Sequence, residues 1–139
     1  MPDPFLDVLR AAKQGRLKVF LGMAAGVGKT VAMLREARRL RAEGMDVVCA
    51  FVEIHGREET ARELGDLAVV PRRTITYRDV PLEEMDLDAV LARKPDVAVV
   101  DELAHTNVPG GRHAKRYQDV EALLDAGVSV LSALNVQHL

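Results

Sequence analysis

Two short stretches of the chain concentrate the residue types that handle phosphate. The first is Gly22-Met23-Ala24-Ala25-Gly26-Val27-Gly28-Lys29-Thr30. Glycines let successive backbone N–H groups turn toward one point and form a concave nest for phosphate oxygens. A helix starting near Lys29 adds the positive end of its dipole to that point. Lys29 would then reach the β- and γ-phosphates of a nucleotide, and the Thr30 hydroxyl would complete the shell of a Mg²⁺ ion. Gly22, Ala25, Gly26, Val27, Gly28, Lys29 and Thr30 are therefore the predicted ATP cradle. The spacing departs from the strict pattern: Met23 stands where the first glycine belongs, and the glycine is Gly22, so the loop is one residue longer at its start. The bland alternative is a glycine-rich turn with an incidental Lys and Thr. Its position between an apolar run and a helical pattern favours the phosphate reading.

The second stretch is Val97-Ala98-Val99-Val100-Asp101-Glu102, an apolar run ending in two carboxylates. A P-loop nucleotidase needs an acid at such a strand end to hold Mg²⁺ through its water shell. Thr30 and Asp101 are thus the predicted metal-holding pair. Glu102 is placed to orient or deprotonate a water attacking a γ-phosphate, which makes Asp101 and Glu102 the candidate catalytic residues. Acids also cap strand ends without doing chemistry, and for Glu102 both readings stand open. Gly110-Gly111-Arg112-His113-Ala114-Lys115-Arg116 reads as a flexible basic loop entering a helix. Arg112 is its candidate for the γ-phosphate; a mobile surface turn is the alternative.

Elements must bring these residues together. Leu17 to Leu21, Asp46 to Val52, Asp96 to Val100 and Val128 to Leu134 are apolar runs that read as buried strands. Met33, Leu34, Ala37 and Leu40 repeat at helical spacing between Thr30 and Glu43, with Gly44 as the stop and Arg35, Arg38, Arg39 and Arg41 on a solvated face. Arg57 to Leu64 and Lys115 to Ala126 read as helices, and a further helix is expected to begin near Glu83. Ala68 to Val70 and Thr74 to Tyr77 are weaker strands, with Pro71 and Pro81 as breaks. Alternating strands and helices predict an α/β three-layer sandwich with a mostly parallel sheet. The segment between Thr30 and Asp101 leaves room for a strand inserted between the two motif strands, as in the RecA-like division of P-loop folds. The whole of 1–139 reads as one nucleotide-binding domain, with 1–14 as a helical extension. The final strand with little after it suggests a domain cut from a longer protein, or else a minimal chain.

Ligands of open parallel sheets sit beyond the carboxyl ends of the strands. Glu53, His55, Gly56 and Arg57 follow the second clear strand; His105, Thr106 and Asn107 follow the third; Asn135, Gln137 and His138 follow the last. Loops are polar in any case, and His55, His105 and His138 lack the tight spacing of a zinc motif.

Composition excludes several classes. The 139 residues are 48% apolar with a net charge of −2, and 19 basic side chains nearly balance 21 acidic ones, so no bulk field attracts nucleic acid. Aromatics are 4%, with no Trp, leaving few platforms for stacking bases. The lone Cys49 excludes an internal disulfide and fits a reducing compartment. The start lacks the order of a signal peptide, and no apolar run is long enough to span a bilayer, so a soluble, cytoplasmic segment is expected.

FLGMAAGVGKT, FVEIHGREET and the segment from Tyr77 to Leu139, which contains DELAHTN and ends in NVQHL, together resemble the N-terminal sensor domain of KdpD-type potassium-responsive sensor histidine kinases. The resemblance runs from about Gly15 onward, and the lengthened Gly22 to Thr30 loop is similar to that family's variant. It implies a cytoplasmic ATP- and Mg²⁺-binding regulatory module. The remaining domains of a membrane-anchored sensor kinase would be its partners, with a response regulator downstream. The competing class is an enzyme in its own right, hydrolysing ATP or passing its γ-phosphate to a protein hydroxyl. A nucleoside kinase of the thymidine kinase type is disfavoured by the single cysteine.

Overall fold

The computed structural model describes residues 4–11, 14–22, 27–54 and 56–135. Its elements run α1 (Pro4–Ala11), β1 (Leu17–Gly22), α2 (Val27–Ala42), β2 (Val47–Phe51), α3 (Glu58–Leu64), β3 (Ala68–Val69), β4 (Arg73–Tyr77), β5 (Val80–Glu84), α4 (Leu87–Arg93), β6 (Val97–Val100), α5 (Arg116–Asp125) and β7 (Ser129–Asn135). Five strands form one parallel sheet in the order β1-β7-β6-β2-β3.

The sheet is covered on both faces, which is why its central strands are apolar without alternation. Every residue of β2 and β6 is buried. On one face Val47, Cys49, Val97, Val99 and Leu131 pack against Met33, Leu34, Ala37 and Leu40 of α2, with Leu6 and Leu9 of α1 completing the layer. On the other face Val48, Ala50, Ala98, Val100 and Val130 pack against Leu87 and Val90 of α4 and Val120 and Leu123 of α5. The α2 arginines occupy the expected outer face. Arg35 donates to Glu63 and Arg41 to Asp66, in exposed pairs that add little stability.

Two expectations need correction. Glu83 does not begin a helix. Glu83 and Glu84 end β5, which pairs antiparallel with β4, and α4 begins at Leu87 with the Asp86 side chain accepting from Ala89 N–H at 3.0 Å. Arg78 and Asp79 turn the hairpin with positive φ (51° and 64°), a two-residue connection that suits strand twist. Pro81 lies inside β5 opposite Thr76; a two-stranded sheet consists only of edges, where a missing N–H is tolerated. The strand separating β1 from β6 is β7, from the far end of the chain, and not one drawn from between Thr30 and Asp101.

Candidate functional site

The carboxyl ends of β1 and β6, on either side of β7, carry the two predicted motifs. Val27 to Thr30 form the first turn of α2, the next element after β1. That turn carries no acidic residue, so the positive end of the helix is not offset locally. Met23, Ala24, Ala25 and Gly26 lie outside the described residues, and with them the predicted cradle positions Ala25 and Gly26.

Gly22 and Lys29 fit one another. A Cβ built on Gly22 would stand 2.6 Å from Cδ and 2.8 Å from Cγ of Lys29. Only glycine lets the lysine stem lie across the end of β1. Gly28 has open space around its Cα.

Thr30 and Asp101, seventy-one residues apart in sequence, meet. The Thr30 hydroxyl donates to Asp101 Oδ2 at 3.2 Å, and both residues are buried. The other carboxylate oxygen, Oδ1, accepts the Glu102 backbone N–H at 2.8 Å. Phe51 O of the neighbouring strand accepts the Asp101 N–H at 2.8 Å and fixes the strand end. A hydroxyl and a carboxylate are hard oxygen donors of the kind Mg²⁺ takes, so this pair fits the ion. Glu102 sits in the left-handed region (φ 57°), a conformation that strains a non-glycine residue by about 1–2 kcal/mol, with its side chain half-exposed.

Beneath these acids lies Arg116, the first residue of α5, fully buried where the sequence predicts a flexible basic loop entering a helix. Its Nη1 donates to the Asp101 carbonyl at 3.1 Å and stands 3.6 Å from Glu102 Oε2. Its Nη2 donates to Glu84 at 2.9 Å, and the guanidinium lies 3.9 Å from the centre of the Phe51 ring. Burial disfavours its charge and lowers its pKa, opposed by the carboxylates of Glu84, Glu102, Asp119 and Asp101. Arg112 points elsewhere and bonds Asp88 at 2.7 Å in an exposed pair.

Of the strand-end histidines, His105 Nε2 stands 3.0 and 3.1 Å from the Glu84 carboxylate. His55 and His138 lie outside the described residues, as does Gln137. Asn135 is in register with Gly22, and its Oδ1 is buried with no hydrogen-bond partner among the described residues. Sequence reasoning missed Arg116 and Glu84 as site residues. Nothing in their local patterns separates a buried arginine from a surface one.

Residues 13–139 match the KdpD family, described as the osmosensitive K⁺ channel His kinase sensor domain. The chain belongs to that family. It is 55% identical over 138 residues to Sensor protein KdpD of Escherichia coli (strain K12), an alignment covering 99% of the chain. Identity to Sensor protein KdpD of Mycobacterium tuberculosis (strain H37Rv) is 53% over 91% of the chain, and to that of Clostridium acetobutylicum 45% over 99%. The chain spans only 15%, 15% and 16% of the lengths of these three relatives. In this KdpD-family domain, Glu53 and Asp101 follow β2 and β6, and Asn135 ends β7, at the same end of the parallel sheet. Among the described residues no helix is long and apolar enough to cross a membrane.

A cleft of about 310 Å³ opens at the ends of β2 and β3, lined by Phe51, Glu53, Ile54, Leu64, Val70 and Arg72 among others. Lys29, Thr30 and Asp101 are not in its walls, so this cleft is separate from the point where the two motifs meet. Cys49, at its base, is buried, and burial pushes its thiol up to about 12. The folded thiol therefore stays protonated where an exposed one ionises, and only thiolate is nucleophilic. Iodoacetamide at pH 8 is expected to leave the native protein unlabelled and to modify Cys49 once denaturant unfolds it. Rapid native labelling would contradict that burial.

Proposed function

We propose that this domain binds ATP with Mg²⁺ and acts as a regulatory module of a potassium-responsive sensor histidine kinase. The observation that carries the reading is the buried hydrogen bond from Thr30 to Asp101, which joins the two motifs at one point. Supporting it are the strand–loop–helix setting of Lys29, the glycine beneath its stem, and the sheet order with β7 between the motif strands, which agrees with a RecA-like P-loop fold. Membership of the KdpD family supplies the biological setting.

In this reading Lys29 places an ammonium against the β- and γ-phosphates, where a charge-assisted bond is strongest. Thr30 and Asp101 hold the cation, which offsets phosphate charge when bound. The half-exposed Glu102, 3.6 Å from Arg116, would orient or deprotonate a water attacking the γ-phosphate. The nucleotide-bound state biases the rest of the sensor kinase, which signals to a response regulator from the cytoplasmic side of the membrane.

Isothermal calorimetry with ADP and a non-hydrolysable ATP analogue, each with and without Mg²⁺, tests the proposal. Saturable one-to-one binding, tightened by Mg²⁺ and tighter for the triphosphate, is expected. No heat from either nucleotide at millimolar concentration would sink the reading.

A further inference from the structure

Glu84 is a buried carboxylate, 5% exposed, at the end of a hairpin that belongs to no part of the main sheet. It accepts from Arg116 Nη2 at 2.9 Å and from the Val108 N–H at 2.6 Å, and it lies against His105 Nε2. Its neighbour Glu83 accepts from Arg72 Nη1 at 3.3 Å. The two arginines sit against the same ring: Arg72 is 4.2 Å and Arg116 3.9 Å from the centre of Phe51. Phe51 in turn holds the backbone of Asp101. The hairpin is thus tied through both of its terminal glutamates to the strand end that carries the phosphate-site acids. At its other end it presents Tyr77, Val80 and Leu82, all exposed.

We propose that Arg116 and Glu84 are positioning residues that couple nucleotide occupancy to the β4–β5 hairpin. This rests on the nucleotide-binding reading given above.

Arg116 is a single cation divided between Glu84 on one arm and the Asp101 carbonyl and Glu102 on the other. A fully buried guanidinium cannot turn to water for compensation. If Asp101 and Glu102 engaged a bound Mg²⁺ and triphosphate, Arg116 would depend more on Glu84 and the hairpin would be held more tightly. Linkage makes the coupling reciprocal, so a loosened hairpin weakens nucleotide binding by the same factor. The device needs the two-armed fork of arginine, which a lysine does not reproduce.

Amide hydrogen exchange over residues 73–84 tests this, read in parallel with calorimetry. With Mg²⁺ and the non-hydrolysable ATP analogue, exchange in this segment of the unaltered protein is expected to slow about tenfold, a typical coupling. Glu84→Gln is expected to bind the analogue about tenfold more weakly and to lose the exchange response. Arg116→Lys keeps the charge and serves if Glu84→Gln does not fold; it too is expected to bind without transmitting. If the unaltered protein binds the analogue and the hairpin does not respond, or if folded Arg116→Lys responds normally, the coupling is wrong while the nucleotide site stands. If the unaltered protein shows no binding heat, the site and the coupling fall together.

Discussion

Lys29→Ala is expected to weaken binding of ATP with Mg²⁺ about a hundredfold while leaving the fold intact. A hydrogen bond to a charged partner contributes about 1.5–3 kcal/mol, and a hundredfold loss corresponds to about 2.7 kcal/mol. Lys29 is only partly buried and its stem lies over the bare Cα of Gly22, so its removal opens no closed cavity. The thermal midpoint should therefore move by no more than about 2 °C, since 1 kcal/mol shifts a domain of this size by only a few degrees. Calorimetry paired with a thermal melt checks both halves. Unchanged affinity would remove the lysine from the site, and a large fall in melting temperature would make its role structural. Gly22→Ala is the companion variant: its methyl group displaces the lysine stem and should reproduce part of the same loss without touching the charge.

Arg116→Ala is expected to destabilise the fold by about 3–5 kcal/mol, because removing one partner of a buried pair leaves the other charge uncompensated. Glu84 would keep only His105 and the Val108 N–H in a site closed to water. The alanine would also leave a void against Phe51 where the guanidinium stacks. Urea denaturation measures the loss, and a change under about 1 kcal/mol would show that the cluster is not a structural charge pair. The double variant Arg116→Met with Glu84→Leu should recover most of the stability, since it removes both charges and refills the space. Stability and nucleotide coupling are then separable: the double variant folds but has no fork to transmit with.

Much of this architecture was legible without coordinates. The runs at Val47 to Phe51 and Val97 to Val100 are apolar at every position, which only a strand covered on both faces requires. Met33, Leu34, Ala37 and Leu40 fix the inner face of α2 by their period alone. The hairpin was harder to see. Its β5 contains a proline and two glutamates, and its turn is Arg78-Asp79 without glycine, so local preference favoured a helix start at Glu83. Side-chain pairing between Ile75 and Leu82 and between Tyr77 and Val80 overrode that preference.

By itself the sequence determined the parallel α/β scaffold, the Gly22 to Thr30 and Asp101-Glu102 motifs, and the family resemblance. These depend on composition, period and spacing within single elements. Tertiary structure alone decided that β7 separates the motif strands, that Thr30 touches Asp101, and that Arg116 is a buried fork between Asp101 and Glu84 and not a surface charge. Strand order and the burial of one polar side chain depend on partners distant along the chain, and no local pattern encodes them.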